Sequence, residues 1–225
     1  MMTMNYSLIP VPFSLVLIIL YMIARNRNNL KMIKVTQPAL TFLAIIIAVL
    51  SYLSPNVNPG YTTWILVGLG LCLLGDIFNI DMSNDRILFA AMVVFFIAYL
   101  EYAIAFTLFS GFQSQDIIVG VVALLIYLFL ARLYWKGLGD FRAPVLIFLL
   151  VVIFMVTRAI STLFGGSFSQ VSAWMVAIGA TLVAMGDIEY GIRRFYKPMN
   201  FQLGPLYYAG GQVLIALSCT YFFMS

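Results

Sequence analysis

Residues 62–80 read TTWILVGLGLCLLGDIFNI, an apolar run whose one ionisable side chain is Asp76, set beside Gly75 and four residues from the end. As a helix rising 1.5 Å per residue this stretch extends about 29 Å. That is close to the roughly 30 Å hydrocarbon core of a bilayer, where helices prevail because the backbone must satisfy its own hydrogen bonds. The rest of the chain is of the same kind: 64% of its 225 residues are hydrophobic and 9% charged, whereas soluble domains carry about a quarter charged residues. A soluble globular domain is excluded.

Working outward from residues 62–80, eight spans emerge: Ser7–Arg25, Thr36–Leu53, Thr62–Ile80, Ile87–Phe109, Asp116–Tyr134, Ala143–Leu163, Val171–Tyr190 and Pro205–Phe223. Polar or helix-breaking clusters separate them, such as Asn26–Asn29, Ser54–Gly60, Asp81–Asp85 and Lys197–Gly204. The expectation is an all-α polytopic membrane protein with eight transmembrane helices in a single domain, residues 1–225. The N-terminus lacks the basic region and small-residue cleavage site of a secretory leader, so the first stretch is expected to remain as helix one. Cys72 and Cys219 fall inside spans, which argues for packing rather than a disulfide.

The net charge of +4 is a topology signal, not a nucleic-acid one. Arg25, Arg27, Lys31 and Lys34 flank the first loop, Arg86 follows the third, Arg132, Lys136 and Arg142 flank the fifth, and Arg193, Arg194 and Lys197 occupy the seventh. The positive-inside rule then puts the odd loops in the cytoplasm and both termini on the non-cytoplasmic side.

Sliding the chain along itself aligns Gly68-x-x-Leu71-x-x-x-Gly75-Asp76-Ile77 with Gly179-x-x-Leu182-x-x-x-Gly186-Asp187-Ile188. At the same offset Ala98, Glu101, Ile104 and Ala105 face Ala209, Gln212, Ile215 and Ala216, while Pro38-x-Leu40-x-Phe42-Leu43 resembles Pro144-x-Leu146-x-Phe148-Leu149. These matches lie four spans apart, so a parallel 4+4 repeat is expected, with halves of about residues 1–110 and 111–225.

Ionisable side chains within spans cost about 2.5–3.5 kcal/mol on insertion scales, and they usually face the bundle interior and serve a purpose. Asp76 and Asp187 share a depth roughly 6 Å inside the basic boundary. The neighbouring Gly68, Gly70, Gly75, Gly179 and Gly186 are expected to let helices approach closely, bringing both carboxyls to one cavity. Paired carboxyls suit proton-transfer catalysis. Capping or pairing with loop cations is the alternative. Glu189, two positions from Asp187, is expected to point away at the interface. Glu101 and Arg158 lie at similar counts from the basic ends of their spans, so they are candidate partners in a buried ion pair or candidate substrate contacts. Gln212 and Tyr208 could be helix contacts or substrate contacts, and Asn79 and Tyr102 complete the candidate binding set. With no histidine and its two cysteines in different spans, the chain offers no zinc site of the usual N/S type, and no metal or cofactor is expected.

Leu74-Gly75-Asp76, Met185-Gly186-Asp187 followed by Phe195-x-x-Pro198, and Tyr208-x-x-x-Gln212-x-Leu214-Ile215-Ala216 together resemble the lysoplasmalogenase (YhhN-like) membrane family over nearly the whole chain. The resemblance implies hydrolysis of the vinyl ether bond of a lysoplasmalogen to a fatty aldehyde and glycerophosphoethanolamine or glycerophosphocholine. Asp76 and Asp187 would be its catalytic residues. The chain departs from the family pattern at Gln37-Pro38, where Lys-Pro is frequent, and at Tyr99, where a histidine is frequent. The expected partners are a lysolipid, whose phosphate Lys34, Arg86, Arg142 or Arg193 at the basic rim could meet, and the surrounding membrane lipids, not nucleic acid; oligomeric state is left open. Intramembrane acids in a repeated bundle equally fit a proton-coupled carrier of small molecules or lipids, and a structural or lipid-binding protein is the third class.

Overall fold

A computed structural model describes residues 5–79 and 84–223. Ile80, the expected end of the third span, and Asp81 in the loop after it lie outside the described residues. Among the described residues eight α-helices follow one another: α1 (Val11–Asn26), α2 (Leu30–Leu50), α3 (Pro59–Phe78), α4 (Asp85–Ser110), α5 (Asp116–Tyr134), α6 (Arg142–Ser161), α7 (Gln170–Phe195) and α8 (Gly204–Ser218). No strand occurs among the described residues.

Several helix starts are fixed by side chains that accept the backbone N–H groups a first turn leaves free. Asn29 accepts from Met32, Asn58 from Tyr61, Asn84 from Arg86 and Ile87, and Ser169 from Ser172. The cap at Asn29 moves one boundary. α2 begins at Leu30 rather than Thr36, so Lys31 and Lys34 lie on helix, and Pro38 sits in its interior, unable to bond back to the preceding turn. α7 likewise runs on to Phe195, carrying Arg193 and Arg194 on helix instead of loop.

Seven of the helices are long and apolar enough to cross a membrane. The eighth, at 15 residues, is shorter and continues into a 3-10 turn, Cys219–Tyr221. It nevertheless runs antiparallel along α7 for most of that helix. The Ser169 N–H donates to the Phe222 carbonyl (2.8 Å) and the Ser172 hydroxyl to that of Ser218 (2.9 Å) at one end. Gly186 faces Gly204 at the other.

Glycines set the closest approaches. A Cβ on Gly179 would lie 2.9 Å from the Gly211 carbonyl, and one on Gly211 would run into the Gly179 carbonyl. A Cβ on Gly75 would meet the Phe95 ring at 2.7 Å, and one on Gly68 would overlap Glu101 and Tyr102. These approaches join α3 to α4 and α7 to α8, not α3 to α7. Gly70, expected among them, has nothing within 4 Å; it sits on the opposite side of α3 from the packed glycines. α8 packs on α7, α2 and α1, α4 on α3 and α6, and α5 stands at the edge against α6. The outer face of α5 is Ile117, Ile118, Val121, Leu125 and Phe129, all exposed to where lipid chains would lie.

Candidate functional site

A cavity of about 110 Å³ opens at the end of the bundle that carries the basic loops. It lies where α1 and α3 end, α4 and α8 begin and the last turns of α7 pass, so all these termini converge on it. Its apolar wall is Leu88, Met92 and Phe95 of α4 with Val145, Phe148 and Leu149 of α6. The polar wall holds Arg25, Gln37, Asn79, Asp187, Arg193 and Tyr208.

Asp187 is brought there by α7. Its Oδ2 is buried and has no hydrogen-bond partner among the described residues, so that oxygen is available to something entering the cavity. The Tyr208 hydroxyl is likewise buried without a partner, its ring edge-on to Phe95 with centroids 5.9 Å apart.

Asp76 does not line the cavity. It is fully buried one residue behind the wall, with Oδ1 accepting from Gln37 Nε2 at 2.9 Å and Oδ2 from the Thr41 hydroxyl. Gln37 does line the cavity, and its Oε1 accepts from Arg25 Nη2 at 2.6 Å. Arg25 also donates through Nη2 to the Asn79 carbonyl (3.2 Å) and through Nε to the Tyr21 hydroxyl (3.2 Å). The orientation of this chain is forced. An arginine can only donate, so the Gln37 oxygen faces Arg25 and its NH2 faces Asp76, which makes Asp76 Oδ1 an acceptor.

The remaining candidates separate. Tyr102 and Gln212 meet deeper between α3, α4 and α8, where the Tyr102 hydroxyl donates to Gln212 Oε1 at 3.1 Å. Glu101 packs on Gly68 beside them, both its oxygens buried and without partners. The proposed Glu101–Arg158 pair does not form. Arg158 Nη1 instead meets Asp116 at 2.6 Å, and its other nitrogens meet Thr107, Ser110 and the Gly111 carbonyl at the opposite end of the bundle from the cavity. Counting residues from the basic ends misled because those ends are not flush. α4 has 26 residues against 20 in α6, and the long arginine side chain reaches on towards the boundary. Glu189 turns from the cavity, as expected, both oxygens accepting from the Leu203 N–H (3.1 and 3.0 Å) at the start of α8.

Four residues of the site were not anticipated as such: Arg25, sorted with the loop charges, Gln37, noted only as a departure from the family pattern, and Tyr21 and Thr41, which carry no motif. A signal was present for Gln37, a glutamine inside an apolar span, since such side chains seek buried partners.

The profile of the YhhN family matches residues 32–219, most of the chain. The protein belongs to the YhhN family. A lysoplasmalogenase homolog of Dictyostelium discoideum is 28% identical over 204 residues, covering 75% of this chain. The chain spans 66% of that relative's length. No solved structure matches. Within this YhhN protein both Gly-Asp motifs thus sit at the basic end of the bundle, one facing the cavity and the other directly behind its wall.

Proposed function

We propose that this YhhN protein hydrolyses the vinyl ether bond of lysoplasmalogens, with Asp187 as the acid. The observation that carries the reading is the Asp187 carboxyl, set in a largely apolar cavity with an unpartnered oxygen. The name of the Dictyostelium discoideum relative supports it.

The chemistry balances with water alone. Asp187 gives its proton to the β-carbon of the alkenyl group, and the electron pair of the double bond forms the new C–H bond. The resulting oxocarbenium ion is captured at the α-carbon by water, which loses its proton to the Asp187 carboxylate. The hemiacetal so formed passes its hydroxyl proton through water to the glycerol oxygen as the C–O bond to the glycerol breaks, giving a fatty aldehyde and glycerophosphoethanolamine or glycerophosphocholine. One carboxyl acts first as acid and then as base, as a carboxyl does in glycoside hydrolysis. Asp76 does not touch the substrate in this scheme; it is a buried countercharge behind Gln37 that favours the cationic stage. The alkenyl chain lies against Phe95, Phe148 and Leu149, and the basic end faces the cytoplasm.

Purified protein given a lysoplasmalogen should release fatty aldehyde. Asp187→Asn should lower kcat by about 10²–10⁴, the range for losing a general acid, and Asp76→Asn should lower it less. Full turnover in Asp187→Asn would rule the mechanism out, and counterflow driven by a proton gradient without aldehyde would favour a carrier.

A further inference from the structure

Two guanidinium groups line the cavity that holds Asp187, those of Arg25 and Arg193. Among the described residues no carboxylate bridges them. Asp76 is shielded by Gln37, and Glu189 spends both oxygens on the Leu203 N–H, meeting Arg193 only at 3.9 Å. Among the described residues Arg193 Nε is buried without a hydrogen-bond partner. Arg25 commits Nε and Nη2 to Tyr21, Gln37 and Asn79, while Nη1 makes no hydrogen bond among the described residues. Bringing two like charges into a partly buried, low-dielectric wall is costly without an anion between them. Unpaired guanidinium N–H groups match phosphate oxygens in geometry and charge.

We infer that Arg25 and Arg193 bind the phosphodiester of a lysophospholipid, which makes the cavity selective for phosphate-bearing alkenyl lipids over neutral alkenylglycerols. The inference rests on the hydrolase reading for the alkenyl part of the ligand. Spacing supports it. Arg193 follows Asp187 by six residues on α7, a rise of about 9 Å. Seven bonds separate the phosphorus of a lysoplasmalogen from the alkenyl β-carbon, an extended reach of about 8 Å at roughly 1.2 Å per backbone-like bond. The two lengths are alike, so a phosphate held at the Arg193 level of α7 leaves the β-carbon near the level of Asp187 in the cavity that all three side chains line. Arg25 ties that contact to Asp76, because the guanidinium that meets the anion also orients Gln37.

The test measures binding to the full chain in detergent. The probes are 1-O-hexadecyl-lysophosphocholine, whose saturated ether cannot be hydrolysed by this route, and 1-O-hexadecylglycerol, which lacks the phosphate. Glycerophosphocholine and inorganic phosphate serve as competitors. The wild type should bind the phospholipid at least tenfold more tightly than the neutral ether. Arg193→Gln should reduce that preference to less than threefold, and Arg193→Lys should recover part of it. Arg25→Gln should do the same where it folds, and Arg193→Gln decides the matter where it does not. Equal affinity of the two lipids, or an undiminished preference in Arg193→Gln, would overturn the inference. Inorganic phosphate displacing the lipid at the lipid's own concentration would overturn the lipid assignment in favour of a free phosphate site. Aldehyde release reports separately on the hydrolase reading, so loss of one result leaves the other interpretable.

Discussion

The Asp76 carboxyl owes its position to a chain of donors, Arg25 to Gln37 to Asp76, with Thr41 on the second oxygen. Removing one link leaves a buried polar group unpaired, at about 1–3 kcal/mol. Gln37→Leu exposes both the Arg25 and the Asp76 ends of that gap, so its thermal midpoint in detergent should fall by more than that of Thr41→Val, which exposes one; equal midpoints to wild type would mean the chain is dispensable. Both aspartates could be picked out from the repeated Gly-Asp pair, because an acid in an apolar span has few reasons to be there. Arg25 could not be. A cation at a helix end reads as topology, and only the fold shows that it turns inward to Tyr21 and Gln37 rather than outward to headgroups.

Among the elements, every expected span has its helix, and the fifth, Asp116–Tyr134, matches α5 to the residue, whereas α2 begins at Leu30 before the expected Thr36 and α7 ends at Phe195 beyond the expected Tyr190. What could not be read was the register between helices. Equal counts from the basic end suggested Glu101 beside Arg158, yet α4 starts further out than α6, and Arg158 closes on Asp116 instead. Breaking that largely buried pair should cost about 3–5 kcal/mol. Asp116→Asn should accordingly lower the thermal midpoint while leaving aldehyde release per folded molecule unchanged, since the pair lies at the far end from the cavity; a selective loss of turnover would refute this separation. The glycines divide in the same way. Gly211→Val must push against the Gly179 carbonyl and Val183, an overpacking cost of about 1–3 kcal/mol, whereas Gly70→Val enters open space and should leave the midpoint within experimental error.

At the scale of the whole molecule, the cavity forms because helix ends from both halves of the chain converge, yet the two halves are not alike at the site. Asp187 faces the cavity, and Asp76 stands behind Gln37. Composition and span length decide that the protein lives in a bilayer, but not which half presents its acid, since that depends on the side chains that come between α3 and the cavity. The orientation proposed from the basic loops has its own check. Cys72 and Cys219 are both buried, so a membrane-impermeant maleimide should label Ser114→Cys, between α4 and α5, from outside intact cells and leave Lys197→Cys untouched; the reverse pattern would invert the topology. The central claim is that Asp187 delivers a proton to carbon. It is tested most directly by running the hydrolysis in D2O and trapping the aldehyde at once by borohydride reduction for mass analysis. One deuterium at the carbon next to the former carbonyl, with Asp187→Asn forming little product, is the predicted result. Aldehyde with no deuterium at that carbon, or labelled product formed at the full rate by Asp187→Asn, would contradict it.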